Sequence, residues 1–217
     1  MASPRYICIT GPDGCGKSTL VSGVMEKIKT ETKLKAELIS IWDMLLYSPE
    51  FQAVIGFTSK EELDRYLEIL DPVSRSLFLF HVFNQSMELA KKKEADIFII
   101  DSYWYKYFAT EIAHGADKDV IFPITSIFPE PEFTCFISVS PELAFSRKDK
   151  CSGYEIGYAP SHTKEAFIAF QNPAYEIFQE LCDRKDWIKL NGTDSPDSLV
   201  NQLFSLITKE KNLAYTG

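Results

Sequence analysis

One run of residues carries spacing that suits phosphate chemistry: Gly11-Pro12-Asp13-Gly14-Cys15-Gly16-Lys17-Ser18. It fits the G-x-x-x-x-G-K-[ST] pattern of a P-loop. Glycines there let backbone N–H groups converge on a polyphosphate without Cβ clashes. A helix opening at the end of the run adds its positive N-terminal end. Lys17 would then reach the β- and γ-phosphates, and the Ser18 hydroxyl a magnesium ion. The expected nucleotide-binding set is Gly11, Asp13, Gly14, Cys15, Gly16, Lys17, Ser18 and Thr19, and the expected cofactors are ATP and Mg²⁺. Asp101 ends an apolar run, where a metal-organising acid would sit. Asp13, inside the P-loop, faces the acceptor side, where it would orient an acceptor hydroxyl or a hydrated ion. Arg147, with Lys148 and Lys150 beside it, precedes a loop. A loop cation closing over ATP stabilises charge on the transferred group.

The elements around these residues follow from their periodicity. Residues 5–10 are apolar and β-branched, as in a buried strand, and residues 19–28 place Leu20, Val21, Val24 and Ile28 on one helical face. A second strand is expected over 36–41, followed by Trp42 and Asp43. Ser59 and Glu62 form a capping-box pattern for a helix through Leu70, and Asp71-Pro72 opens another to about Lys93. The middle of that helix, 77–83, is apolar on every side. Phe78 is a candidate stacking wall for a base, and His81 is the polar exception, best read as a core histidine. Strands are expected over 95–101, 133–139 and 187–190. Helices are expected over 104–114, 141–148, 164–184 and from Ser195-Pro196-Asp197 onward.

That order defines an α/β fold: a doubly wound, five-stranded parallel sheet with helices on both faces. The chain reads as a single domain over 1–217, with a small lid at about 147–162. Ligands gather at the C-terminal strand ends of such sheets. The P-loop, Trp42-Asp43 and Asp101-Ser102-Tyr103 all fall there.

Composition narrows the class. With 31 acids against 23 Lys and Arg the net charge is −8 over 217 residues, which argues against sequence-independent binding to a nucleic acid polymer. No apolar run approaches the roughly 20 residues needed to span a membrane, so no membrane partner is expected. Residues 1–4 carry no secretory pattern. The five cysteines fit neither a zinc site nor a disulfide framework. Reduced thiols in a cytoplasmic protein are expected. Cys15, near a helix N-terminus, stands as an oxidation hazard.

The pattern resembles the thymidylate kinase family over nearly the whole chain. The matching stretches are Gly11 to Thr19, Asp101-Ser102-Tyr103 where the family has Asp-Arg-Tyr, Pro129 to Phe133, and Ile137 to Ala144. Ser146-Arg147-Lys148, Gln171 to Tyr175 and Leu190-Asn191-Gly192 extend the match. The resemblance implies transfer of the ATP γ-phosphoryl to dTMP, dependence on Mg²⁺, and homodimers packed through helices. It implies Lys17 and Ser18 for ATP and Mg²⁺, Asp13 and Asp101 near the acceptor, and Arg147 as a lid arginine. The chain departs from the family in its arginines: none stands between Tyr6 and Asp64, and none between Ser76 and Ser146. Bidentate arginines are the usual grip on a phosphate. Ser102 takes one such place, His81 or Asn84 another, and Trp42 with Asp43 a third. Arg75, Lys106 or His81 would have to compensate. Three readings stay open: a thymidylate kinase with rebuilt acceptor contacts, a kinase for another acceptor such as a nucleoside with Asp43 as base, and an ATP-binding protein without transferase activity.

Overall fold

The computed structural model describes residues 4–45, 48 and 56–209. Five strands form one parallel sheet: β1 (Arg5–Thr10), β2 (Ala36–Ile39), β3 (Ile97–Asp101), β4 (Phe133–Ser138) and β5 (Ile188–Asn191), in the spatial order β2-β3-β1-β4-β5. The central strands read as apolar runs because both faces of the sheet are covered. Ile7, Ile9, Ile97, Ile99, Cys135 and Ile137 point into one core with α1 (Lys17–Glu31). Cys8, Phe98, Ile100 and Phe136 alternate into the other, which holds most of the aromatic rings. The fold class is therefore as the sequence patterning indicates.

The remaining helices are α2 (Ile41–Leu45), α3 (Lys60–Ile69), α4 (Pro72–Ala90), α5 (Tyr103–Ala113), α6 (Lys118–Ile121), α7 (Pro141–Ser146), α8 (Lys164–Arg184) and α9 (Pro196–Lys209). Their starts are set by local chemistry. Ser59 accepts the N–H of Glu62, and Asp71 accepts those of Val73 and Ser74 with Pro72 in the first turn. The second strand ends two residues earlier than expected. The Ser40 hydroxyl accepts the Trp42 N–H at 3.3 Å and turns the chain into α2. Trp42 thus lies in a short helix. Short 3₁₀ turns at Phe122–Ile127 and Tyr154–Ile156 also have no forerunner in the periodicity.

β1 lies between β3 and β4, so the sheet reverses its winding there. The register pairs Ile9 with Asp101 and Thr10 with Phe136. Asp101 is thereby level with the start of the glycine loop, at the crevice where such sheets place ligands.

Candidate active site

A cleft of about 880 Å³ opens over the C-terminal strand ends. Its floor is the loop between β1 and α1. Gly14 and Gly16 take φ of 81° and 99°, a conformation that favours glycine. At Gly14 a Cβ would stand 2.6 Å from the Ala144 carbonyl oxygen, so the loop needs both the conformation and the space. Gly16 caps α1, and its exposed backbone leads to the exposed Ser18 and Thr19. The Lys17 ammonium is buried and donates to the carbonyls of Gly11 at 2.8 Å and Pro12 at 2.9 Å. The loop therefore holds its own cation in place beside the N-terminus of α1. Cys15 is 1% exposed, and burial pushes its thiol up against the pull of Lys17. Burial thus works against the oxidation hazard expected from the helix N-terminus.

Asp101 ends β3 and Ser102 follows it. Ser102 adopts a left-handed conformation at φ 65° and donates its hydroxyl to Asp101 at 2.8 Å. Ser102 is buried yet lines the cleft. One helical turn on, Lys106 reaches back across the cleft to Asp13 at 2.6 Å. Burial pushes the Asp13 carboxyl up, but Lys106 and Lys17 outweigh it and hold it below the usual carboxylate range. Burial likewise pulls Lys106 down, and Asp13 more than restores it. Both groups stay charged. The second Asp13 oxygen is buried without a partner among the described residues.

Arg147 ends α7 and donates to the Gly192 carbonyl at 2.7 Å, on the far rim beside Asp194 and Pro196. Lys148 pairs with Glu155 at 2.9 Å. The wall opposite the glycine loop comes from α2, α3 and α4. Trp42 lies under the Lys60 ammonium at 4.6 Å from its ring centre, and Leu63, Asp64, Leu67 and Leu79 continue the surface.

The cleft thus gathers Asp13, Gly14, Cys15, Gly16, Lys17, Ser18, Thr19, Trp42, Asp101, Ser102, Lys106 and Arg147. Three expected substrate contacts do not line it. Tyr103 is fully buried on the opposite face of α5's first turn and donates to the Pro129 carbonyl. Phe78 packs edge-on against Phe57 and Tyr66. His81 is exposed, and so is neither a core histidine nor a cleft residue. Leu79 is the α4 residue that reaches the cleft. Asp43 lies in α2, with its side chain outside the described residues. The contributions of Lys60, Leu63, Asp64, Leu67, Tyr107 and Tyr154 were not singled out by the sequence. The i, i+4 pairs Lys60/Asp64 and Leu63/Leu67 do mark one face of α3, but nothing local tells which neighbour that face meets.

Fold and cleft together define an α/β protein of the P-loop type. Comparison with known proteins gives the particular likeness. No protein-family model matches the chain. A protein named probable thymidylate kinase from Sulfolobus acidocaldarius is 26% identical over 203 residues, covering 93% of this chain and 95% of its own. Thymidylate kinase from Lactobacillus helveticus is 22% identical over 208 residues, covering 94% and 95%. The structure of deoxyadenosine kinase from M. mycoides with bound dATP superposes with a TM-score of 0.61 at 13% identity, over 94% of this chain and 98% of that one. The chain is thymidylate kinase-like along its length, and its fold is shared with deoxynucleoside kinases.

Proposed function

We propose that this chain transfers the γ-phosphoryl group of ATP to a nucleoside monophosphate, with dTMP as the first acceptor. The observation that carries the reading is one continuous cleft. Its floor is a complete P-loop, and Lys106 reaches across from α5 to pair with Asp13 of that loop. On this reading the loop's N–H groups and Lys17 hold the donor phosphates and neutralise charge that develops on transfer. Arg147, on the donor rim, adds a second cation there, as part of a small lid at about 147–162. Asp13 accepts from a hydroxyl of the acceptor, and Lys106 faces its phosphate. The apolar wall of Trp42, Leu63, Leu67 and Leu79 takes the base.

Mg²⁺ fits this donor set. No group of three His, Cys, Asp or Glu side chains capable of holding a metal occurs among the described residues. Ser18 and Asp101 would hold such an ion, with phosphates and water as its further ligands. When bound, it supplies neutralisation of the β- and γ-oxygens. Homodimerisation through helices, and a cytoplasmic location, belong to the same proposal. No helix among the described residues is long and apolar enough to cross a membrane.

A nucleoside acceptor is the second reading. Arg147 is the only arginine among the described cleft residues, and Lys106 is already neutralised by Asp13. A coupled ADP-release assay with Mg-ATP and a panel of nucleosides and monophosphates separates the two. Turnover of dTMP well above thymidine is expected. Turnover of nucleosides alone establishes the second reading. Tight ATP binding without turnover of any acceptor removes both.

A further inference from the structure

Residues 149–161 are tied to the fold by a closed circuit of polar contacts that the phosphoryl chemistry above does not use. On α3, Asp64 accepts the backbone N–H groups of Gly153 at 3.1 Å and Tyr154 at 3.2 Å. The Tyr154 side chain runs inward. Its hydroxyl lies 2.9 Å from Glu111 and 2.6 Å from Thr110, both on α5. Glu111 is fully buried and takes the Arg75 guanidinium at 2.8 Å. Arg75, on α4, also donates to the carbonyls of Leu67 at 2.9 Å and Leu70 at 3.2 Å, at the end of α3. The path leaves α3 at its last carbonyls and returns to it at Asp64.

The circuit joins the two sides of the cleft. The α3 helix supplies Lys60, Leu63 and Leu67 to the acceptor wall. At the other end of the segment, Lys148 is bonded to Glu155 and packs toward Gly14 of the phosphate loop. Gln171 on α8 donates to the Glu155 carbonyl at 2.9 Å. A phenylalanine at 154 would fill the same space. The hydroxyl adds direction, since a buried hydroxyl is costly unless its bonds are met.

We propose that Tyr154 is a positioning residue for the transfer: its hydroxyl, held by Glu111 and Thr110, locks residues 149–161 to α3 so that the donor-side cations and the acceptor wall keep one register. The inference rests on the phosphotransferase reading above for its kinetic part. A small misplacement in such sites costs rate out of proportion to its size.

The test uses the full chain and Tyr154→Phe, with Asp64→Ala as the second variant should the first fail to fold. Hydrogen exchange, ATP titration and steady-state kinetics with dTMP are measured on each. Exchange is expected to rise together over 149–161 and over Lys60–Ile69. ATP affinity should stay within about twofold, while kcat falls about tenfold or more. Exchange that rises in one segment alone, or in neither, overturns the coupling. Coupled exchange with kcat within about twofold of the parent overturns the positioning role. A parent that turns over no acceptor refutes the phosphotransferase reading, and the exchange result then still decides whether the two walls are locked.

Discussion

The two halves of the cleft are built on different principles. The floor of the proposed donor half is one contiguous run that would hold phosphates mainly through backbone N–H groups, with Lys17 parked on its own loop carbonyls. The acceptor half is assembled from side chains on α2, α3, α4 and α5, and its cations are spoken for: Lys106 by Asp13 and Lys60 by the Trp42 ring. A backbone cradle recognises any triphosphate, because every residue has an N–H. A wall of side chains recognises whatever its particular groups can satisfy. Acceptor choice therefore resides in the half where this chain departs most from the thymidylate kinase pattern.

The largest effect should come from the donor half. Lys17→Ala should lower kcat by about 10³-fold, the scale of losing a preorganised charge at the transferring group. The thermal midpoint should stay within a few degrees of the parent. An unchanged rate in single-turnover measurements would break the assignment of the donor half altogether.

Next in size is the acceptor half. Lys106→Ala should lower kcat/KM for dTMP by about 10- to 100-fold, corresponding to about 1.5–3 kcal/mol for a charged hydrogen bond. KM for ATP should hold steady. The sharper readout is the ratio of dTMP to thymidine. A fall confined to the monophosphate places its phosphate at Lys106, whereas equal falls for both acceptors mean that the lysine only holds Asp13.

The same contrast explains what could be read from the sequence. The donor half lies within nine consecutive residues, and glycine and lysine there have few other uses, so Gly11 to Thr19 could be named outright. Strand cores were legible for a related reason: runs such as residues 97–101 are buried on both faces and need no partner to be recognised. The acceptor wall was not legible. Phe78 and Leu79 are neighbours in a stretch of α4 that is apolar on every side, and about 100° of rotation decides which meets the cleft. Tyr103 looked like part of a site motif, yet the left-handed turn at Ser102 sends it into the core. The buried partnership of Arg75 with Glu111 spans 36 positions and leaves no local trace.

A smaller effect probes the seating of the phosphate loop of the donor half against α7. Gly14→Ala puts a Cβ 2.6 Å from the Ala144 carbonyl at a φ of 81°. The expected loss is about 1–3 kcal/mol of stability, read from the denaturant midpoint. A midpoint equal to that of the parent would mean that α7 is free to move off the phosphate loop.

The smallest expected effect is a pH dependence in the network behind the acceptor wall. Burial pushes the Glu111 carboxyl up to about 7 from an ordinary 4.5, against the pull of Arg75. Between those values the native chain holds a proton that the unfolded chain has released. This group's stabilisation is therefore complete below about pH 4.5 and is lost as pH rises through about 7. His114, pushed down to about 3 from 6.5 by burial and by Arg75, works in the opposite sense, costing stability as pH falls below 6.5. The two slopes offset each other in the parent, so the informative quantity is a difference. Glu111→Gln removes one slope and leaves the other. The parent's advantage over this variant in thermal midpoint should shrink by a few degrees between pH 5 and pH 8. A difference that is constant across that window would mean that Glu111 is ionised throughout, and that the acceptor wall rests on a fixed ion pair whose strength does not change with pH.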